Sequence, residues 1–344
     1  MYTLEIKPWL LARGFLPLRL LGFCFTFSLM LLLTSCTREG ELNESNNSFS
    51  FSNAYLNANG TRFHYLYSGK DGAKESDKPV MILLHGFPHI AQVWYPILEH
   101  FAGDYIVIAP DLRGYGESEK SVELSEYRIE NLVEDIRQFA NQVSPGAPIT
   151  LVGHDWGGVL AWGLAQSEPQ LIEKLVVINA PQLNAFLYTL ESSEAQRDAS
   201  KYIATLDSWW IKPVLHWFGP QLLWRGLEKD YDDGKVAEAY KQAFFDSWQN
   251  DDSVDAALNY YSQNVPDFSA IKNDSYWPNK KAKADVDTLL IWSINDKAFT
   301  PETRMNTQRF ATSLTTYLID TDSHTPQVTH SGKVIEVMSD FLEK

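Results

Sequence analysis

The segment Ile149-Thr150-Leu151-Val152-Gly153-His154-Asp155-Trp156-Gly157-Gly158 is the strongest indication of architecture in this chain. It begins with an apolar run, which is typical of a buried strand, and continues into a glycine-rich turn with an aspartate at its centre. A stretch with helical spacing follows from Val159 to Gln166. Small residues suit such a turn because its backbone is strained and packs closely against its neighbours. The pattern predicts a strand, a sharp turn and a helix, with the Asp155 carboxylate displayed at the turn.

Asp155 at this turn excludes an ordinary serine esterase. A carboxylate is suited to attack on a saturated carbon, as in an epoxide or an alkyl halide, and it leaves an ester that water must cleave. The helix that begins behind the turn favours a negative charge there. The alternative is an N-cap aspartate before an ordinary helix. That alternative accounts for the aspartate but not for the glycines around it.

The composition fits one large domain, or one domain that carries an inserted subdomain. The chain has 344 residues, of which 44% are hydrophobic and 13% aromatic, and this argues against global disorder. Its formal net charge is −15 at pH 7. Because phosphate binding needs a basic surface, nucleic acid is excluded as an expected partner.

The N-terminal region has the features of an export signal. Three basic residues precede an apolar stretch over 20–33, which is typical of a signal peptide. Leu33-Thr34-Ser35-Cys36 follows and resembles a bacterial lipobox, in which the cysteine carries the lipid. The alternatives are a plain secretory signal or a short membrane anchor. We expect an exported bacterial lipoprotein that is anchored to a membrane, the outer one where present, through Cys36, with its catalytic domain outside the cytoplasm.

The boundaries along the chain follow from shifts in composition. We expect a lipoprotein signal peptide over 1–35, a polar tether over 36–50, a first core segment over 51–181, a helical cap over 182–284 and a second core segment over 285–344. The only cysteines are Cys24 and Cys36. The mature body therefore has no internal disulfide and no cysteine–zinc site.

Apolar runs alternate with helical stretches along the core segments. Two short strands are expected at 54–57 and 62–67 around an Asn59-Gly60 turn, and buried strands at 80–84, 105–109, 149–152, 175–178, 289–292 and 316–319. Helical spacing is present over 129–143 and 334–342. Buried strands that alternate with helices are typical of a mostly parallel sheet with helices on both faces. The alternation breaks in the helical region 182–284, which predicts an inserted cap.

The cap region is rich in tryptophan, with six of the eleven in the chain: Trp209, Trp210, Trp217, Trp224, Trp248 and Trp277. Such an aromatic content suggests a lipophilic substrate tunnel. Packing within the cap would use the same residues.

A turn that follows the predicted strand 80–84 is expected to complete the surroundings of Asp155. It reads His85-Gly86-Phe87-Pro88. Such a turn presents the Phe87 backbone N–H, and the Trp156 backbone N–H supplies the second half of an oxyanion hole.

Asp296 and His324 each follow a predicted strand and are the expected acid and base. A carboxylate in that position can orient a histidine and stabilise its cation. The order nucleophile, acid, histidine along the chain matches a known arrangement. Asp320 and Asp322 are alternatives for the acid, but they lie on the histidine's own strand end. His330 is the alternative base and lies further towards the terminal helix.

Together these segments resemble the epoxide hydrolases of the α/β-hydrolase fold. The resemblance extends from about Phe49 to Lys344 and rests on 85–88, 111–118, 153–158 and the loops of Asp296 and His324. Residues 111–118, Asp-Leu-Arg-Gly-Tyr-Gly-Glu-Ser, also occur in dehalogenases of this fold and so support the fold rather than the reaction. The resemblance implies an α/β-hydrolase fold, with a mostly parallel sheet flanked by helices and an inserted helical cap.

The resemblance also implies two cap tyrosines that hold the epoxide oxygen, since phenols stay protonated near neutral pH. Leu258-Asn259-Tyr260-Tyr261 is similar to the family's Leu-Asn-Trp-Tyr segment and makes Tyr261 one donor. Tyr202 lies where the second donor is expected. Tyr260 replaces Tyr261 if the register differs by one residue. The alternative is that all three tyrosines only pack the cap.

The activity implied is hydrolysis of a small hydrophobic epoxide to a vicinal diol, without metal or organic cofactor. Asp155 forms the ester, and water activated by His324 with Asp296 cleaves it. A haloalkane or haloacid dehalogenase with the same nucleophile is the alternative; Phe87, where haloalkane dehalogenases more often have asparagine, argues against it. A non-enzymatic binding protein is a third possibility, against which the complete set of nucleophile, acid and base argues. The oligomeric state is left open.

Three positions depart from the family's pattern. Ser293 replaces the glycine that often lies three residues before the acid. Thr325 follows the base where tryptophan is usual, and Ser262 follows the second tyrosine where arginine is common. None of the three removes a catalytic group, so we expect them to affect the shape of the pocket more than the mechanism.

Overall fold

The computed structural model describes residues 51–68, 77–231, 235–249 and 251–344. The expected signal peptide, Cys36 and the polar tether lie outside the described residues. The core and the cap belong to one compact unit.

Eight strands alternate with helices in the described part of the chain. The strands are β1 (Ser52–Ala58), β2 (Thr61–Tyr67), β3 (Val80–Leu84), β4 (Ile106–Pro110), β5 (Ile149–His154), β6 (Ile172–Ile178), β7 (Ala284–Ser293) and β8 (Ala311–Ile319). The α-helices are α1 (Tyr95–Phe101), α2 (Ile129–Val143), α3 (Trp156–Ser167), α4 (Leu183–Ser192), α5 (Glu194–Ala199), α6 (Lys201–Leu206), α7 (Ile211–Leu227), α8 (Lys235–Trp248), α9 (Asp251–Asn264), α10 (Pro301–Thr307), α11 (Pro326–Thr329) and α12 (Ser331–Leu342).

The strands form one sheet in the order β1-β2-β4-β3-β5-β6-β7-β8. β2 pairs antiparallel with β1 and β4, and all other neighbours are parallel. The fold class predicted from the sequence is confirmed. Because parallel strands end at the same edge, the segments after β3, β5, β7 and β8 converge there.

The central strands are apolar because both of their faces are covered. Every residue of β3, β4 and β5 is buried, as expected for strands between two helical layers. α3 follows β5 directly and is buried over most of its length. The end of β5 is therefore rigidly held, and it carries Asp155.

The edge strand β8 is longer than the apolar run predicts. It begins at Ala311 rather than at Thr316, and its side chains alternate between partly buried and exposed. Such a strand lacks a continuous apolar run, since one of its faces is exposed to solvent. Similarly, β7 begins at Ala284, which the sequence analysis assigned to the cap, because the outer end of β7 also alternates in burial.

Helices α4 to α9 lie between β6 and β7 and form the cap. The expectation that its tryptophans line a tunnel is wrong. Among the described residues, none of the six lines the spaces beside Asp155. Trp209, Trp210 and Trp217 are exposed, whereas Trp224 is buried within the cap. Trp248 is buried against the core, where its Nε1–H donates to the Pro88 carbonyl at 3.1 Å.

Within the described residues, every helix is too short or too polar to cross a lipid bilayer.

Candidate active site

Asp155 lies at a strained turn between β5 and α3. Its backbone has φ of 50° and ψ of −124°, a conformation that non-glycine residues rarely adopt. The glycines around it are required by close packing: a Cβ on Gly157 would lie 2.2 Å from the Leu84 carbonyl oxygen, and one on Gly153 would lie 2.5 Å from the Gly157 oxygen. This packing fixes the direction in which the Asp155 side chain leaves the sheet.

Two backbone N–H groups hold the Asp155 carboxylate. The Phe87 N–H donates to Oδ1 at 2.7 Å, and the Trp156 N–H also hydrogen-bonds the carboxylate. These are the two groups predicted to form an oxyanion hole. A Cβ on Gly86 would lie 2.3 Å from Oδ1, so the turn after β3 approaches the carboxylate as closely as a glycine allows. The Phe87 N–H therefore holds Oδ1, and Oδ2 lies on the side of His324.

His324 lies beside Oδ2 and is oriented by Asp296. Its Nε2 is 3.6 Å from Asp155 Oδ2, and its Nδ1 is 2.7 Å from Asp296 Oδ2. The other oxygen of Asp296 accepts from the Ala298 N–H at 2.7 Å and the Phe299 N–H at 3.2 Å. The Asp296 side chain is fully buried. These contacts leave His324 Nε2 directed at the nucleophile.

The ionisation of these groups follows from their mutual charges. Burial lowers the pKa of His324, but the charge of Asp296 and the contacts with Asp155 and Asp296 outweigh it and raise that pKa to about 10. Burial raises the pKa of Asp155, but the contact with His324 and its charge outweigh burial and hold that pKa below its ordinary value. The resting site is an ion pair near neutral pH.

Two residues that the sequence analysis did not identify position the His324 backbone. The His154 Nε2–H donates to the His324 carbonyl at 2.9 Å. Burial and the charge of His324 lower the pKa of His154 well below its ordinary value, so it stays neutral. Asn179 follows β6 with φ of 42°, and its Nδ2 donates to the same carbonyl at 2.9 Å. Asn179 could have been found because, like Asp296, it directly follows a buried parallel strand.

Tyr202 and Tyr261 share a cavity of about 330 Å³ with Asp155, Phe87 and His324. Their rings lie 6.4 Å apart at 82°. A second cavity of about 30 Å³ is also lined by Asp155 and both tyrosines. Its other lining residues, Phe186 among them, are apolar. Burial, and then the charge of Asp155, raises the pKa of each phenol above its ordinary value. Both phenols are therefore neutral donors at the junction of the two spaces.

The residues considered as alternatives for the acid, the base and the oxygen donor make other contacts. Asp322 pairs with Lys297 at 3.1 Å at the mouth of the cavity. Asp320 is exposed, with Asn295 Nδ2 at 3.5 Å from its Oδ1. His330 contacts the Thr329 hydroxyl at 2.9 Å. The Tyr260 hydroxyl donates a hydrogen bond to the Arg113 carbonyl at 2.9 Å, so Tyr260 packs the cap against the core.

The segment 111–118 supports the loops around the site. Asp111 accepts from the Ala91 N–H at 2.8 Å and from the Glu117 N–H at 3.0 Å, and it lies 2.7 Å from His64. The Leu112 N–H donates to His85 at 3.0 Å, which ties this segment to the turn that carries Phe87. This segment therefore has a structural role, as its occurrence across the fold suggests.

No group of three or more His, Cys, Asp or Glu side chains that could hold a metal ion is present among the described residues.

Comparison with known proteins places the chain in a family. The model of the alpha/beta hydrolase fold family matches residues 79–331. The chain is 30% identical to Epoxide hydrolase 1 of Caenorhabditis elegans over 304 residues, 84% of this chain and 70% of that protein. It is 30% identical to human Epoxide hydrolase 4 over 243 residues, 69% of this chain and 63% of the human protein.

Solved structures that resemble this chain include epoxide hydrolases. A crystal structure of an epoxide hydrolase from Bacillus megaterium, in complex with an inhibitor, superposes with a TM-score of 0.73 and 28% sequence identity. The match covers 85% of this chain and 100% of that one. The similarity therefore includes the cap as well as the sheet.

Proposed function

Because the chain belongs to the epoxide hydrolases of the α/β-hydrolase fold, we propose that it opens a small hydrophobic epoxide to a vicinal diol through an ester on Asp155. The observation that carries the proposal is that one cavity is lined by a carboxylate, a histidine and two neutral phenols. Its volume of about 330 Å³ is within the usual range for small-molecule sites.

In the first half-reaction, Asp155 Oδ2 attacks an epoxide carbon. The new C–O bond forms as the epoxide C–O bond breaks, and Tyr202 or Tyr261 gives its proton to the oxygen that is released. The phenols are suited to this role because they are protonated and lie in the wall of the same cavity. The product of this step is an alkyl ester of Asp155 and a tyrosinate.

In the second half-reaction, His324 first gives its proton to the tyrosinate. The neutral imidazole then takes a proton from water, and the hydroxide adds to the ester carbon of Asp155. The tetrahedral oxyanion is held by the Phe87 and Trp156 N–H groups. When it collapses, the alkyl oxygen leaves with the proton from His324. The carboxylic acid on Asp155 then gives its proton to His324, which restores the resting ion pair. One epoxide and one water have become one diol.

Formation of the ester also switches His324 from acid to base. In the resting site the contact with Asp155 and its charge contribute to the raised pKa of His324. Esterification removes that charge, while the burial that lowers the pKa of His324 remains. The imidazole becomes easier to deprotonate at the stage at which it must accept a proton.

The test separates epoxide opening from halide displacement. Diol and halide release are measured in single turnovers of the full chain with aryl and alkyl epoxides, haloalkanes and fluoroacetate. We expect diol formation that is lost in Asp155→Ala and strongly reduced in Tyr261→Phe. Halide release without diol, unaffected by Tyr261→Phe, would instead make the protein a dehalogenase and reduce the tyrosines to packing.

We also propose that the chain is an exported bacterial lipoprotein. The support is the apolar stretch over 20–33 followed by Leu33-Thr34-Ser35-Cys36. Expression in a bacterium fed with labelled fatty acid tests this. Label is expected on the wild-type protein and not on Cys36→Ser, and equal labelling of both would contradict the proposal.

A further inference from the structure

Helix α7 is apolar on both sides. Its inner face packs into the cap through Leu215, Trp224 and Leu227. Its outer face and the preceding turn form a second apolar surface, the α7 patch, which comprises Trp209, Trp210, Trp217, Phe218 and Leu222. Trp209 is 86% exposed, Trp217 81% and Phe218 59%. A surface helix of a globular protein ordinarily has one polar face, so this second face is suited to a partner.

Helix α2 shows the ordinary arrangement, in which one face is apolar and buried and the exposed positions are polar. In α2 the apolar residues Leu132, Ile136 and Phe139 are buried, and the exposed positions are charged or polar, as at Glu130 and Gln142. In α7 the exposed positions include Trp217, Phe218 and Leu222 beside the polar Gln221 and Arg225. Several large apolar side chains exposed on one helix and the turn before it indicate a binding surface.

The charges around the patch narrow the class of partner. The sequence of α7 contains no acidic residue and carries Lys212 and Arg225. Lys212 lies 3.4 Å from Asp255 of α9, and Glu228 follows the helix directly, whereas Arg225 is exposed. Asp207, in the turn before the patch, is the nearest acidic residue along the chain in that direction. Tryptophan and phenylalanine with flanking basic side chains are typical of segments that lie in a membrane–water interface.

We propose that the α7 patch docks on a lipid bilayer and inserts Trp209, Trp217 and Phe218 among the headgroups. A bilayer is favoured over a second copy of the chain because of the predicted anchor at Cys36. A lipid at Cys36 would join the domain to the bilayer through the short segment 36–50. A weak apolar surface is then enough, since binding becomes intramolecular.

Docking there would bring the substrate cavity to the membrane. Helix α6 packs against α7, and its Tyr202 lines the cavity beside Asp155. A lipophilic epoxide dissolved in the bilayer would enter beside α6. This part of the inference rests on the proposed function, whereas docking itself does not.

The first experiment measures oxidative footprinting of the full chain by hydroxyl radicals, with and without phosphatidylcholine vesicles. We expect oxidation of Trp209 and Trp217 to slow several-fold with vesicles, while the exposed Val122 and Met305 of the core react as before. Unchanged rates at Trp209 and Trp217 would overturn the proposal. Slow oxidation of Trp209 and Trp217 in the absence of vesicles would also overturn it. If that protection depends on protein concentration, a second copy of the chain covers the patch; if it does not, the chain itself covers the patch.

The second experiment uses a patch variant, Trp209→Gln, Trp217→Gln and Phe218→Gln, and a matched core variant, Val122→Gln, Leu124→Gln and Met305→Gln. Hydrolysis of a long-chain epoxide held in vesicles should fall several-fold in the patch variant alone. Hydrolysis of a short water-soluble epoxide should be unchanged in both variants. Equal rates on the vesicle-held epoxide would contradict the route through the bilayer. If the wild type hydrolyses neither epoxide, the proposed function fails, and the footprinting still decides on docking.

Discussion

The sheet edge and the cap hold their functional groups by different means. At the sheet edge, Asp155 and Asp296 each receive backbone hydrogen bonds, and the backbone of His324 is held by two side chains. In the cap, Tyr261 is placed by ring contacts, with Phe87 at 5.7 Å and Trp156 at 5.3 Å. The sheet edge therefore fixes charges through hydrogen bonds that involve the backbone, whereas in the cap Tyr261 is held by ring packing and by a hydrogen bond with the Trp156 side chain.

The two tyrosines also differ from each other. Tyr261 lies on α9, which is tied to the core because Asn264 accepts from the Ile129 N–H at 2.6 Å and donates to the Tyr127 carbonyl at 2.7 Å. Tyr202 lies on α6, a short helix that is mostly exposed. We therefore infer that Tyr261 is the fixed donor and Tyr202 the adjustable one.

The largest expected effect is at the sheet edge, with His324→Gln. Turnover should fall about 10³- to 10⁴-fold, as when a catalytic base is removed. The first half-reaction should still proceed, so intact mass spectrometry should find the protein heavier by one epoxide. His330→Gln is the matched control and should keep its activity. Absence of the adduct with a substrate that the wild type hydrolyses would contradict the roles assigned to Asp155 and His324.

The next effect tests how tightly the sheet edge is packed. Gly86→Ala would place a Cβ against Asp155 Oδ1, so the carboxylate or the turn must move. We expect kcat to fall about 100-fold from misplacement of the nucleophile and the free energy of unfolding to fall by about 1–3 kcal/mol.

Gly103→Ala is the control for this substitution, because a Cβ there meets open space within the described structure. It should change the free energy of unfolding by less than about 0.5 kcal/mol. Kinetics and urea unfolding of both variants check the prediction. Equal behaviour of the two variants would show that the sheet edge is less rigid than its packing indicates.

Tyr261→Phe and Tyr202→Phe test which of the two cap tyrosines is the more important donor. Loss of one hydrogen bond to the developing charge should lower kcat/KM about 10- to 100-fold in Tyr261→Phe, and less in Tyr202→Phe. Tyr260→Phe should lower stability but leave kcat/KM nearly unchanged, because its hydroxyl is bound to Arg113. A larger loss in Tyr202→Phe would reverse the order that we infer.

The smallest expected effect is a shift in ionisation. Asp155→Asn removes one negative charge beside His324 and resembles the neutral ester in shape. Because negative charge raises the pKa of His324 to about 10 in the wild type, this pKa should be lower in the variant. NMR titration of the imidazole measures both values. An unchanged pKa would show that Asp296 alone determines the ionisation of His324.

The sequence predicted the sheet edge better than the cap. Asp155, Asp296, His324 and the Phe87 turn each follow a parallel strand, and strand ends converge by geometry. The partner of His324 could be chosen because only Asp296 approaches from a neighbouring strand. His154 was missed because its role depends on a contact with a backbone carbonyl, which has no sequence signature. Asn179 was also missed, although its position directly after a buried strand could have indicated it.

The cap was harder to predict because helical spacing does not determine which side of a helix faces a neighbour. Six tryptophans predicted a lipophilic tunnel, yet Trp209 and Trp217 face outward. Tyr202 and Tyr261 were identified by resemblance, not by spacing. The exposed face of α7 could not be recognised from the sequence, since buried helices are apolar all round as well.

The most direct test is a single turnover in water enriched in oxygen-18, with enzyme in excess over epoxide. The ester mechanism predicts that the first diol carries no label and that the peptide containing Asp155 gains one heavy oxygen. Label in the first diol, with none in that peptide, would mean that water attacks the epoxide directly and that Asp155 is not the nucleophile.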